Sequence, residues 1–302
     1  MEKKQELLKP KIDVVFHSIF RKGNERITKA LITSITKEKI EDIELDNDRY
    51  IIGKYPEEKL GILDLKATLD NGTICDIEIQ LADNKDTAER FLFYWSRIYS
   101  GQLVKGDDYG KLNKVIGIII LDYNLEKTKE IEQISTKWKI KEVTTGKEIV
   151  LTDMLELYII EIPKVKRILK KEPNDKLAQW VQFLDNPNEK EVLKAMENNE
   201  EIKEAMEELE EVSKIKQLRR IAELKDKAIR DEKNGLRHAT EDGINIGLER
   251  GRKEGIKEGI KEGEKNKQIE IAKKLLKEGM STEKISLIVG MSKEEVENLK
   301  NN

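Results

Sequence analysis

The chain has 302 residues, of which 39% are charged and 5% aromatic, so its apolar core must be confined to part of its length. A formal net charge of −3 gives no global attraction to nucleic acid, and any such contact must come from local basic patches or a bound metal. The single Cys75 excludes an internal disulfide and a cysteine zinc cluster, and only His17 and His238 are present for a histidine-rich metal centre.

The first ten residues, Met-Glu-Lys-Lys-Gln-Glu-Leu-Leu-Lys-Pro, lack the apolar run of a signal peptide. No window approaches the roughly 18 apolar residues of a membrane span, so a soluble cytoplasmic protein with no membrane partner is expected. Val15, Phe16, Ile19, Phe20, Ile27, Ala30, Leu31 and Ile35 recur at helical spacing over residues 13–36, with a break expected at Gly23 and Asp13 as N-cap. Ile40, Ile43 and Leu45 read as a first strand, followed by a loop ending at Tyr55-Pro56.

Residues 62–81 read as a hairpin turning at Asp70-Asn71-Gly72. On its second strand Cys75, Ile77, Ile79 and Leu81 point one way, and Asp76, Glu78 and Gln80 the other. That polar row is either a solvated outer face or one wall of a metal site. A two-residue Asn71-Gly72 loop places Asp64 opposite Ile79. A three-residue Asp70–Gly72 loop with left-handed glycine instead places Asp64 across from Glu78 and Lys66 across from Asp76. The second register is the expected one, because it joins the two acids.

A helix follows over residues 86–105, with Phe91, Tyr94, Trp95, Ile98 and Leu103 on one side. Arg90 and Arg97, two turns apart, are candidates for phosphate contacts because a guanidinium meets phosphate oxygens bidentately. Lys114-Val-Ile-Gly-Ile-Ile-Ile-Leu121 suits a strand buried on both faces. More strand is expected over 137–151, broken at Thr145-Gly146, and a last strand over 157–163. Beyond residue 164 the chain is charged and helical, with a small packed helix at Trp180–Leu184 and long helix over 189–233.

Gly243, Gly247, Gly251, Gly255, Gly259 and Gly263 then recur every fourth residue. As helix, these six cost about 6 kcal/mol relative to alanine, so the segment should need a partner surface or serve as a spacer. Residues 268–302 resemble a small helix-turn-helix unit, with Ser281 and Ser292 as N-caps and Glu295 closing a capping box.

Asp64, about a dozen residues, then Glu78-Ile-Gln80 resembles the Asp…(Asp/Glu)-x-Lys signature of the PD-(D/E)XK nuclease superfamily. Together with Lys11-Ile-Asp13-Val-Val-Phe16, Asp64-Leu-Lys66, Tyr94-Trp95-Ser-Arg97-Ile-Tyr99 and Leu121-Asp122-Tyr123-Asn124, it makes residues 7–165 resemble the Rpn family of recombination-promoting nucleases, also labelled PD-(D/E)XK transposases. The resemblance implies an α/β fold: a restriction-endonuclease-like core with a mixed central sheet flanked by helices, followed by an all-helical C-terminal region. The expected divisions are a nuclease-like core at 1–165, a charged helical region at 166–234, the glycine-repeat helix or spacer at 235–267, and the terminal module at 268–302.

The activity implied is a Mg²⁺-dependent endodeoxyribonuclease on double-stranded DNA, serving recombination, mobile-element activity or defence. Asp64, Glu78 and the backbone carbonyl of Ile79 are the expected ligands of Mg²⁺, with Mn²⁺ as substitute, and Gln80 stands where related nucleases carry lysine and would position water. Asp13 or Glu25 would lie near the metal, and Lys66 would either supply the missing charge or pair with Asp76. The competing reading is a catalytically weak or inactive DNA- or protein-binding module. In either case the glycine-repeat tail would mediate assembly, here as a homo-oligomer.

Overall fold

A computed structural model describes residues 6–46, 51–52, 61–62, 65–83 and 85–300. Asp64 and the expected loop end Tyr55-Pro56 lie outside these residues. The chain divides into two units, residues 1–233 and 234–302.

In the first unit, α1 (Asp13–Ile19) and α2 (Glu25–Thr36) are separated at Gly23, whose φ of +99° lies in the left-handed region that favours glycine. The expected cap is corrected by one residue. Ile12, with extended backbone, holds the N-cap position, and Asp13 is the first helical residue, its Oδ1 accepting the Val14 N–H at 2.7 Å. A carboxylate still sits at the helix N-terminus, where the dipole favours it.

The central sheet has six strands in the order β1-β4-β5-β6-β8-β7. These are β1 (Ile43–Leu45), β4 (Leu65–Leu69), β5 (Ile74–Gln80), β6 (Val115–Leu121), β7 (Ser135–Trp138) and β8 (Leu155–Glu161). A separate two-stranded ribbon pairs β2 (Ile51–Ile52) with β3 (Gly61–Ile62). β5, β6 and β8 run parallel, while β1, β4 and β7 add antiparallel edges. The parallel step from β5 to β6 is made through α3 (Thr87–Ser100), as a parallel pair requires a crossover.

The hairpin takes the three-residue register. Lys66 faces Asp76 and Leu65 faces Ile77. Leu69 donates its N–H to Thr73 O at 2.8 Å, and Gly72 adopts φ +80°. β6 is buried at all seven positions, as its continuous apolar run implies. On one sheet face Cys75, Ile77, Ile118 and Ile160 join the main core with α1 and α2. On the other, Phe91 of α3 packs on Ile119, Leu121 and Leu157.

The expected strand over 137–151 shrinks to β7 and a single bridge, Lys141 to Val150. Past Trp138 this edge segment leaves Val143 86% and Leu151 77% exposed. It therefore buries too little apolar surface to extend the ladder.

α4 (Val165–Lys171), α5 (Lys176–Asp185), α6 (Lys190–Ala195) and α7 (Glu200–Lys214) continue the same unit. They include the stretch whose charge set it apart in sequence, yet their apolar stripes enter the main core. Trp180 is buried there, its ring 6.1 Å from that of Phe20. The expected long helix over 189–233 is interrupted at Asn199, which caps α7 by accepting from Ile202 N–H, and again at Ile215.

α8 (Lys216–Lys277) runs for 62 residues. Up to Lys233 it belongs to the first unit, with Ala222 buried and Leu218 and Ile229 against the core. In the second unit every residue from Asn234 to Lys267 is exposed. The end of α8, α9 (Thr282–Val289) and α10 (Lys293–Lys300) then close a small core around Ala272, Ile285, Val289 and Val296. The capping box forms as expected: Glu295 N–H donates to Ser292 Oγ at 3.2 Å, and Ser292 N–H to Glu295 Oε2 at 2.8 Å.

Candidate active site

The polar row of β5 is not a solvated face. Asp76 is 1% and Glu78 7% exposed, because α3 covers the sheet on that side. Gly117, paired with Asp76 across the β5–β6 ladder, allows the cover to sit close, since a Cβ there would lie 2.9 Å from Phe91 Cζ. Toward the carboxyl end of β5, where open α/β sheets characteristically bind ligands, the row emerges into a cleft of about 410 Å³. Glu78, Ile79 and Gln80 form one wall, with Lys11, Asp13, Arg90, Lys225 and Glu232 around them.

Gln80 Nε2 is buried and meets no hydrogen-bond partner among the described residues. A buried amide donor left in this way suits an oxygen brought by water or substrate. Lys11 Nζ bridges Asp122 Oδ1 at 2.8 Å and Asp185 Oδ1 at 2.7 Å. Burial works against its charge, but the hydrogen bonds and charges of the two aspartates outweigh that and raise its pKa above the usual lysine value. Lys233 Nζ joins the other oxygen of Asp122 at 2.6 Å, and Lys225 pairs with Asp13. The quoted segments around Lys11 and Asp122 thus meet directly at the cleft. Tyr123 OH lies 2.7 Å from Thr87 Oγ1, tying the end of β6 to the start of α3.

Not every candidate converges. Lys66 pairs with Asp46 Oδ2 at 3.0 Å. Glu25 starts α2, accepts the Gly23 N–H at 2.9 Å and faces a different cleft beside Glu204 and Glu208. That backbone hydrogen bond holds its carboxyl below the ordinary range. Arg90 lines the cleft and lies over the Tyr94 ring, 5.4 Å from its centroid, whereas Arg97, two turns on, is outside the cleft lining. The α8 contribution of Lys225, Glu232 and Lys233 had no local signal: these residues sit in a uniformly charged helix, and only packing brings them to β5.

A larger cleft of about 720 Å³ around Trp180 lacks this chemistry. Its two acids are already engaged, Asp175 in capping α5 and Glu201 with Arg26.

Among the described residues no three His, Cys, Asp or Glu side chains group to hold a metal. Glu78 and the Ile79 carbonyl are hard oxygen donors of the kind a divalent cation prefers, so the wall fits such an ion in chemistry. Nor, among the described residues, is any helix long and apolar enough to cross a membrane.

A mixed six-stranded sheet flanked by helices, followed by a long helical region, defines an α/β domain. The family model of the PD-(D/E)XK nuclease family transposases matches residues 10–239, and the chain belongs to that family. The match extends beyond the likeness seen in residues 7–165 and takes in the start of α8. Nucleases of this class usually use divalent metals and act on DNA. Comparison with curated proteins gave no match, and comparison with solved structures gave none.

Proposed function

We propose that the protein is a metal-dependent endodeoxyribonuclease that hydrolyses phosphodiester bonds of double-stranded DNA in recombination, mobile-element activity or defence. The observation that carries this reading is Glu78 beside Gln80 on a wall opening into the cleft, in a family of nucleases. The register that sets Lys66 across from Asp76 is the three-residue-loop register expected from the sequence, and it supports the reading of Asp64 as the second acid. Asp64, Glu78 and the Ile79 carbonyl would hold Mg²⁺, or Mn²⁺ in its place, with Asp13 in support. When bound, such an ion supplies Lewis acidity and lowers the pKa of water. Gln80 donates through Nε2 to an oxygen in the cleft, and Arg90 meets the DNA backbone at the rim, with Arg97 further along α3.

Plasmid nicking in Mg²⁺ tests the reading. Asp64→Ala and Glu78→Ala should each lower the rate by on the order of 10³-fold or more while circular dichroism stays unchanged. Undiminished nicking by either variant overturns the assignment of that residue.

The tail supports a second element of the reading, homo-oligomerisation. A Cβ added at any of the six repeat glycines would meet nothing within 4 Å, so these helix faces are open to close approach by another chain. Sedimentation of the full chain should show a concentration-dependent oligomer, and a monomer at all concentrations would rule this element out.

A further inference from the structure

Phosphodiester hydrolysis gathers negative charge on the phosphoryl oxygens, and catalysis needs positive charge aimed at them. The β5 wall offers none, for Glu78 is acidic and Gln80 neutral. Among the described residues, three cations line the cleft: Lys11, Arg90 and Lys225. Lys11 is held between two aspartates and its side chain is only 15% exposed. Arg90 lies over the Tyr94 ring.

Arg90 is exposed on α3, whereas Lys225 reaches the cleft from α8 and is less enclosed than Lys11. It has one carboxylate partner, Asp13, and its side chain is 38% exposed toward the cleft it lines. Its position is also fixed. Next to it in sequence, Asp226 Oδ1 accepts from Lys9 Nζ at 2.9 Å, and two turns on Lys233 reaches Asp122. The intervening Ile229 packs on the main core. The matched family region ends at 239, so this stretch of α8 is part of the family domain while most of the glycine repeat is not.

We infer that Lys225 meets a DNA phosphate inside this cleft, in addition to Arg90 at its rim, exchanging its ion pair with Asp13 for a phosphoryl oxygen when DNA binds. The inference rests on the nuclease reading for its catalytic consequence, but not for the contact itself. Lys225 thus stands in, from a helix almost 150 residues downstream of Gln80, for the charge that Gln80 lacks. Asp13 restrains the lysine in the free protein and stays at the cleft wall in the complex, where the nuclease reading gives it a supporting role beside the metal.

The test compares full-length wild type, Lys225→Met, Lys225→Arg and Asp13→Asn. Duplex DNA binding is measured by fluorescence anisotropy over a salt series without divalent metal, and plasmid nicking is then measured in Mg²⁺. Lys225→Met should weaken binding and reduce the slope of log K against log salt by about one ion, and Lys225→Arg should restore both. Asp13→Asn, which frees the lysine, should tighten binding. In Mg²⁺, Lys225→Met should slow nicking by on the order of 10²-fold.

An unchanged salt slope in Lys225→Met overturns the inference. So does weaker binding in both Lys225→Met and Asp13→Asn, which would mark the pair as purely structural. A Lys225-dependent slope in a wild-type protein that never nicks DNA upholds the phosphate contact and overturns the nuclease reading instead.

Discussion

The two parts of α8 share a helix and almost nothing else. Up to Lys233 the helix is tied down by Ala222, Ile229 and ion pairs from Lys225 and Asp226. From Asn234 to Lys267 every residue is exposed, Ile244, Leu248, Ile256 and Ile260 included, and the glycines face open space. The first part is held by tertiary packing. The second carries an unfavourable propensity with only local pairs, such as Glu249–Lys253 at 2.6 Å, to offset it. The lesson is that the same helix marks a packed surface up to Lys233 and an unfilled demand for one from Asn234 to Lys267.

The largest effect expected from that contrast comes from truncating isoleucines. Ile118 is fully buried in the main core, so Ile118→Ala should cost about 2–5 kcal/mol. Ile256 is 54% exposed, and Ile256→Ala should stay within about 0.5 kcal/mol. All three tryptophans, Trp95, Trp138 and Trp180, lie in the first unit, so urea unfolding followed by fluorescence reports on that unit alone, whereas far-UV circular dichroism reports on both. A cost at Ile256 approaching that at Ile118 would break the contrast and show the tail's apolar positions buried against another chain.

Two glycines sharpen the comparison with opposite signs. Gly117→Ala brings a methyl to 2.9 Å from Phe91 Cζ and 3.0 Å from Leu157 Cδ2, and should cost about 1–3 kcal/mol in the fluorescence transition. Gly255→Ala meets nothing and should stabilise the tail helix by about 0.5–1 kcal/mol, read as added helical signal on heating. A destabilising Gly255→Ala would mean that a partner backbone occupies that face.

The order of elements was legible where periodicity was strong: α1 and α2 around Gly23, the hairpin and its loop, the buried run of β6, and the capping box at Ser292. Local chemistry decides each of these. The expected strand beyond Trp138 was not realised, because alternation says nothing about whether an edge has a partner. The site was half legible. Glu78 and Gln80 stand out as polar residues on an apolar strand, and the distinctive segments at Lys11 and Asp122 prove to be neighbours. Lys225 and Lys233 were not legible, because one lysine in a charged helix looks like any other until a core places it. Glu25, which the family resemblance placed near the metal, accepts the Gly23 N–H and lines a different cleft.

Buried and exposed ion pairs carry the same contrast into pH and salt dependence. Glu156 on β8 is 2% exposed and takes Lys137 and Lys139 at 2.8 Å each, with Lys114 at 3.3 Å. Burial pulls its pKa upward, but the hydrogen bonds from Lys137 and Lys139 and the nearby charge of Lys114 prevail and hold it at about 2, below the ordinary 4.5. A carboxylate held low in the fold stabilises it above the unfolded value and loses that contribution as pH falls from about 4.5 toward about 2. The fluorescence-detected urea midpoint should therefore fall across this window in wild type. Glu156→Gln should start lower, because three lysines then surround a neutral amide, and should converge on wild type as the pH nears 2. Glu270–Lys274 in the tail, with side chains 65% and 70% exposed, is screened by water and salt, so Glu270→Gln should leave the circular dichroism transition unchanged at moderate ionic strength. Parallel rather than converging curves for Glu156→Gln would show that the difference between the two proteins does not come from the ionisation of Glu156.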